Sequence, residues 1–276
     1  EIMSSDWSSD VCSSDLNPYD AANIDIMNSE IPPSWIDPSE SGFLLGTDNM
    51  GRDMLSTMLY GLRTSILIGI GAVTLQAVIG IIMGLTAGYI GGKTDSILMR
   101  LADIQFSFPY LMVAILVSAI FQMIFGIGKY EELAIPLLIL IIGFAEWPMY
   151  ARTIRASVMG EKSKEYVEAA KIIGLSNPVI MIRHVLPNSL TSLLVISTIQ
   201  VANAVMSEAA LSFLGLGMPT TKPSLGSLIR AGFDYIFSGS WWITIFPGIL
   251  LVLFVLVINL LGDWLRDVLN PKLYKG

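Results

Sequence analysis

The sequence predicts an all-α polytopic membrane protein with five membrane-spanning helices and a polar helix–turn–helix held outside the bilayer. Three observations carry this. Of 276 residues, 53% are hydrophobic and only 14% charged, against roughly 25% charged in a soluble domain. Mean hydropathy is +0.66. The apolar residues fall in runs near the roughly 20 residues a helix needs to cross hydrocarbon. No ten-residue alternating pattern suggests a membrane barrel, and backbone groups in lipid must be satisfied within the segment, so the runs are helices.

The first sixteen residues stand apart. Ser4 to Leu16, "SSDWSSDVCSSDL", repeats Ser-Ser-Asp three times. It reads as a non-native or disordered tail that cannot bury a core, and it resembles translated adapter sequence. Residues 1–16 are therefore kept out of fold reasoning. Cys12 is the one cysteine, so no internal disulfide or cysteine metal cluster is available.

Residues 17–63 form an acidic extracytoplasmic segment. Residues 1–63 carry 11 acidic groups against Arg52 and Arg63, while the rest of the chain is slightly basic. No basic field for nucleic acid exists. "GTDNMGRD" (46–53) is turn-rich, and Met54, Leu55, Met58, Leu59 and Leu62 then share one face, predicting an outer interfacial helix.

The transmembrane domain spans 64–276. Its predicted spans are 64–90, 106–127, 133–150, 189–211 and 241–261, with "FGIGKYEE" as a tight turn between the second and third. Loops 91–105, 151–188 and 262–276 hold 11 Lys/Arg, and the opposite set holds 5 on more residues. The positive-inside rule places 151–188 and the C-terminus in the cytoplasm. Trp241 and Trp242 then mark an outer aromatic belt, with Tyr150 and Trp264 near the inner one. The acidic segment falls outside, which calls for one further helix ahead of Asn17.

Within the spans, Gly80, Gly84 and Gly88 stand four apart on one helical face, which permits close backbone approach. Glu208 near the outer end of the fourth span must face protein or water. It is a candidate pathway residue or a structurally paired one. Asn203 is a second pathway candidate; with Gln200 and Gln76 it also reads as helix-to-helix glue. Glu146, before Trp147-Pro148, reads as structural or gating. "AGYIGGKT" (87–94) approaches a phosphate loop but begins with Ala and follows an apolar span instead of a strand.

The polar interruption is Glu165 to Asn188, "EYVEAAKIIGLSNPVIMIRHVLPN". A helix ends at Gly174, suited to a C-terminal cap. A second starts with Asn177 as N-cap and Pro178 as first residue, and Pro187 stops it. Ala169 and Ala170 leave a small-residue surface, and Ile172, Ile173, Val179, Ile180 and Ile182 give apolar faces suited to a groove on a partner. The alternative is a hairpin lying on the membrane surface.

Glu168, Ala169, Ala170, Gly174, Leu186 and Pro187 resemble, at the right spacing, the Glu-Ala-Ala coupling loop of ABC-transporter permeases. His184 departs from the aliphatic position in the manner of the dipeptide/oligopeptide branch, and otherwise reads as a helix-surface or packing residue. "LGTDNMGRDMLSTMLYGLRTS", "AGYIGGKTD", "SFPYLMVAILV", "EAALSFLGLG" and "LGDWLRDVLNPK" extend the resemblance to the C-type permease of peptide and nickel importers. The resemblance implies six helices in an intact member, so the chain looks truncated at its N-terminus. It implies ATPase coupling through Tyr166, Glu168, Ala169, Ala170, Gly174, His184, Leu186 and Pro187. It implies a second homologous permease subunit, two cytosolic ABC ATPase subunits that hold ATP and Mg, and an extracytoplasmic substrate-binding protein. No cofactor or metal is expected on this chain, nor any catalysis. Peptides are the expected substrate, with nickel, opines or glutathione as alternatives in the same family. One His and no paired intramembrane carboxylates speak against an intramembrane enzyme. A channel or carrier working without an ATPase is the remaining alternative.

Overall fold

The computed structural model describes residues 24–36, 43–219 and 221–268. The tail 1–16 and the last residues of the predicted cytoplasmic C-terminus lie outside the described residues. Eight α-helices follow in order: α1 Met54–Ile90, α2 Gly92–Ser107, α3 Tyr110–Lys162, α4 Glu165–Ile172, the short α5 Asn177–Val179, α6 Leu186–Phe213, α7 Leu225–Phe233 and α8 Trp242–Val268. A π-helical turn, Ile180–Val185, joins α5 to α6. Among the described residues the only strand-like pairing is an isolated bridge, Thr47 to Asp53. Among the described residues, four helical stretches are long and apolar enough to cross a membrane: Met54–Ile90, Tyr110–Lys162, Leu193–Phe213 and Trp242–Val268.

Several boundaries differ from expectation. The outer helix and the first span are one helix, because nothing between Met54 and Thr64 breaks it. Gly61 marks close approach instead of a break: a Cβ there would lie 3.2 Å from the backbone of Ser224. Asp53 starts α1, its carboxylate accepting the Ser56 N–H at 2.8 Å, which satisfies one orphan donor of the first turn. The predicted loop 91–105 is helical. Gly91 and Gly92, at φ +74° and +59°, separate α1 from α2, so "AGYIGGKT" lies at a helix–helix junction. Pro109 holds Phe108 extended, at φ −95° and ψ 126°, and α3 starts only at Tyr110. The predicted turn after the second span is a single residue, Gly126, at φ +79° and ψ 164° inside α3.

The chain divides into two compact units. The first comprises 1–67, 125–134 and 208–254; the second comprises 68–124, 135–207 and 255–276. In the first, Met54, Met58, Leu228, Trp242 and Ile243 form a buried cluster. The Trp242 indole N–H donates to the Thr47 carbonyl at 3.0 Å. Trp242 is therefore a core residue, not a belt residue. Asp48 and Arg52 form a buried ion pair at 2.7 Å. Ser224 and Ser227 cap α7 reciprocally, closing its first turn without water. The Tyr130 hydroxyl donates to the Leu216 carbonyl at 2.6 Å.

In the second unit, α1 packs along the latter half of α3. A Cβ at Gly80 would lie 2.2 Å from Tyr150 Cβ, one at Gly84 2.4 Å from the Ala151 carbonyl oxygen, and one at Gly88 2.9 Å from the Arg155 carbonyl oxygen. Tyr150 is buried there, donating to Ser197 at 3.2 Å, which corrects its expected place in the inner aromatic belt. The partners of α1 rise in number as α1 does, from Gly71 against Ile139 to Gly88 against Val158. The two segments thus run parallel. Asp95 of α2 takes both a 2.5 Å and a 2.7 Å hydrogen bond from Arg155. Those bonds hold its carboxyl below the usual carboxylate range, against the opposing effect of burial.

Because the Gly80 clash is with backbone-proximal atoms, Gly80→Ala should lower stability by about 1–3 kcal/mol. Gly160, also in α3, has nothing within 4 Å of its Cβ position, so Gly160→Ala should stabilise by about 0.5–1 kcal/mol. Thermal unfolding in detergent checks both: midpoints should move in opposite directions.

Candidate functional site

The elbow, 165–188, is built by local rules. In α4, Val167 and Ala170 are buried while Glu168 and Ala169 are exposed. The small-residue surface expected from the two alanines is therefore divided: Ala169 faces out and Ala170 packs inward. The helix closes with the Leu175 N–H on the Ala170 carbonyl at 3.2 Å and the Gly174 N–H on the Lys171 carbonyl at 3.0 Å. That is the Schellman pattern. It requires a left-handed residue, and Gly174 sits at φ +87°. At the end of the helix the chain bares apolar surface: Ile172 is 86% and its C-cap Ile173 77% exposed, and Ile182 in the π-helical turn is 63% exposed. Ile180, expected on this face, is instead fully buried.

Two expectations fail here. Ser176, not Asn177, is the N-cap residue of α5, and Pro178 stands second. The Asn177 side-chain oxygen accepts the Tyr89 hydroxyl at 3.1 Å instead, so it is spent on tertiary contact. Pro187 does not stop the helix; it lies in the first turn of α6. The Leu186 N–H bonds the Met181 carbonyl, five residues back. Pro187 follows as this wide turn reverts to α-helix, where its missing N–H and its ring are tolerated.

Tyr166 ties the elbow together. Its hydroxyl donates to Glu161 at 2.7 Å and accepts from the Asn188 amide at 3.2 Å. Asn188 also donates to the His184 carbonyl at 2.8 Å. Burial, then the Glu161 carboxylate, push the Tyr166 hydroxyl above its ordinary value. His184 enters this network through its backbone. Leu186 is half-buried and Pro187 exposed. Lys162, at the end of α3, donates to the Tyr89 carbonyl. Tyr89 thus bonds both α3 and the elbow; sequence reasoning missed it, because a Tyr at a span end reads as a belt residue.

A second feature lies within the same unit. A cavity of about 350 Å³ is lined by Gln105, Tyr110, Glu146, Gln200 and Asn203, among others. Gln200 donates to Glu146 at 3.0 Å, and Asn203 donates to Gln200 at 2.8 Å. Gln76 donates to the Ile142 carbonyl at 3.3 Å. Asn203 lines this cavity. Glu208 does not: it is fully buried and accepts from Ser65 at 2.9 Å and Ser212 at 2.6 Å. Its surroundings match the structural alternative. Among the described residues no group of three or more His, Cys, Asp or Glu is placed to hold a metal.

Residues 77–275 match the family described as the binding-protein-dependent transport system inner membrane component. The chain belongs to this family. It is 39% identical over 242 residues to the di/tripeptide transport system permease protein DppC of Pseudomonas aeruginosa (strain UCBPP-PA14), covering 88% of this chain and 76% of that protein. It is 36% identical over 258 residues to the dipeptide transport system permease protein DppC of Haemophilus influenzae (strain ATCC 51907 / DSM 11121 / KW20 / Rd), covering 94% and 84%. With the oligopeptide transport system permease protein OppC of Bacillus subtilis (strain 168) the identity is 34% over 257 residues, covering 93% and 79%. Two inward-facing structures of the MetNI methionine ABC transporter share the fold at TM-scores of 0.62 and 0.61, with 19% and 21% identity over 77% and 79% of this chain and 96% and 98% of theirs.

The matched region of this permease contains both the elbow and the cavity. At Gly174 only backbone conformation demands glycine, since nothing lies within 4 Å of a Cβ there. Gly174→Ala should therefore cost the turn about 1–2 kcal/mol without a clash. Limited trypsin digestion of the membrane-embedded protein should cleave after Lys171 faster in this variant, with α1 and α3 left intact.

Proposed function

We propose that the chain is a permease subunit of an ATP-driven importer of di- and oligopeptides in a bacterial inner membrane. It pairs with a second homologous permease to form the pathway and receives substrate from an extracytoplasmic binding protein. Two cytosolic ATPase subunits, which hold ATP and Mg, dock one on the elbow of each permease; this chain carries no ATPase site. The names of its relatives support the peptide class. The skew of Lys and Arg supports placing 151–188 and the C-terminus in the cytoplasm. Parallel packing of α1 on the latter half of α3 supports five spans here. A chain that descends twice in the same direction must cross back between, and the segment before Gly126 is the apolar stretch that can do so.

The observation that carries the coupling role is the bared apolar tip at Ile172 and Ile173, held on a locked turn. An exposed patch on a fixed element marks an interaction site. In this reading Glu168 anchors by charge and Ala169 permits close approach. Gly174 sets the angle between the two short helices. Tyr166 with Asn188, and Lys162 with Tyr89, make the elbow rigid with α1 and α3. A displacement imposed by the ATPases then reaches the spans undiminished.

Copurification with the ATPase subunits tests this. Glu168→Arg should cut ATPase capture about tenfold and abolish ATP-dependent dipeptide uptake while expression is retained. Gly174→Pro should do the same. Undiminished capture in both, or uptake by the permeases with no ATPase present, would contradict the proposal.

A further inference from the structure

The Glu146 carboxylate is unusual for its position. It lies within α3, a membrane-crossing helix, yet no ion pair among the described residues includes it. Its hydrogen bond from Gln200 is neutral and occupies one oxygen. Intramembrane carboxylates are costly and face a partner or a water-filled cavity. Here the cavity is on hand, and Glu146 lines it with Gln105, Phe108, Tyr110, Gln200 and Asn203.

The polar wall has a fixed sense. Gln200 is buried, donates to Glu146 and accepts from Asn203. One of the two Asn203 amide hydrogens is thus committed inward, and its carbonyl oxygen is left as an acceptor. A negative carboxylate and an amide oxygen on one wall match a group with several donors and no acceptor. A primary ammonium is that group. The aromatic faces of Phe108 and Tyr110 also suit a cation. A divalent metal fits poorly, since the wall offers one carboxylate and amides where such an ion takes six or more oxygens.

Gln105 and Tyr110 also line a neighbouring pocket of about 230 Å³, walled by Val113, Leu137, Ile141 and Phe144. A ligand with an ammonium beside an apolar side chain would fill both. We propose that Glu146 recognises the protonated amino terminus of a short peptide passing through this cavity, with the first side chain in the adjoining apolar pocket. This deepens the importer reading and rests on it.

The test uses the assembled transporter, with Cys12→Ser and a reporter cysteine at Met149→Cys, since Met149 lines the cavity. Labelling with a cationic methanethiosulfonate should outpace an anionic one of similar size by about fivefold, from the attraction of a nearby carboxylate. Glu146→Gln should erase that preference and Glu146→Asp should retain it, which separates charge from folding. Dialanine should protect the reporter, N-acetyl-dialanine should not, and protection should vanish in Glu146→Gln. A rate ratio unchanged by Glu146→Gln, or protection indifferent to acetylation, would overturn the ammonium site. Dipeptide uptake by the unsubstituted complex reads the importer proposal separately. Uptake that persists while protection ignores Glu146 sinks this site alone; absent uptake sinks the peptide reading and this ligand with it.

Discussion

Close backbone contact between α1 and the latter half of α3 is the constraint on which the second unit rests. Lipid gives two helices little hydrophobic reason to associate, so contact energy must come from packing. Glycines at 80, 84 and 88 remove the side chains that would hold the axes apart. At each of them even a methyl group would collide with Tyr150, Ala151 or Arg155. Everything nearer the elbow depends on that approach. It brings the Tyr89 carbonyl to Lys162 and the Tyr89 hydroxyl to Asn177. It also keeps Arg155 within reach of Asp95. The elbow is therefore attached to the spans through three routes, the covalent ones from α3 into α4 and from the π-helical turn into α6, and the Tyr89 contact from α1.

The first unit is held by satisfied polar groups. Glu208 and its two serine donors, the Asp48–Arg52 pair and the Ser224–Ser227 cap are all buried. Each would be expensive if left incomplete. The Trp242 to Thr47 bond ties the start of α8 to the "GTDNMGRD" turn, and Trp241 meets Phe246 edge to face there, with ring centroids 5.7 Å apart. In that turn Gly51 is needed because a Cβ would overlap the Asp25 carbonyl. These contacts hold the described residues of the acidic segment against α8.

Much of this was legible in the residues. Apolar runs located the helices, the four-residue glycine spacing located the packing face, and Gly174 located the turn. These signals are local, and local backbone rules settle them. What was missed needed a tertiary partner. Pro187 read as a helix stop because nothing in the sequence announces the π-helical turn before it. Ala169 and Ala170 look alike in sequence and differ only in which way α4 lies on its neighbours. The surroundings of the two intramembrane glutamates were also hidden: Glu208, open in sequence to a pathway or a structural role, is enclosed by serines, and Glu146, with a structural or gating reading, borders a cavity. Serines at 65 and 212 gave no hint of converging on one carboxylate, since one of them is 143 residues away from it.

The glycine face of α1 fixes the elbow's seat. Amide hydrogen exchange across residues 165–188 in a Gly84→Leu variant tests it directly, because that substitution lies some eighty residues from the elbow in sequence. Exchange should quicken in the elbow, spreading from Asn177, alongside faster exchange in α1 and α3. Elbow exchange identical to that of the unsubstituted protein, with α1 and α3 visibly loosened, would contradict it.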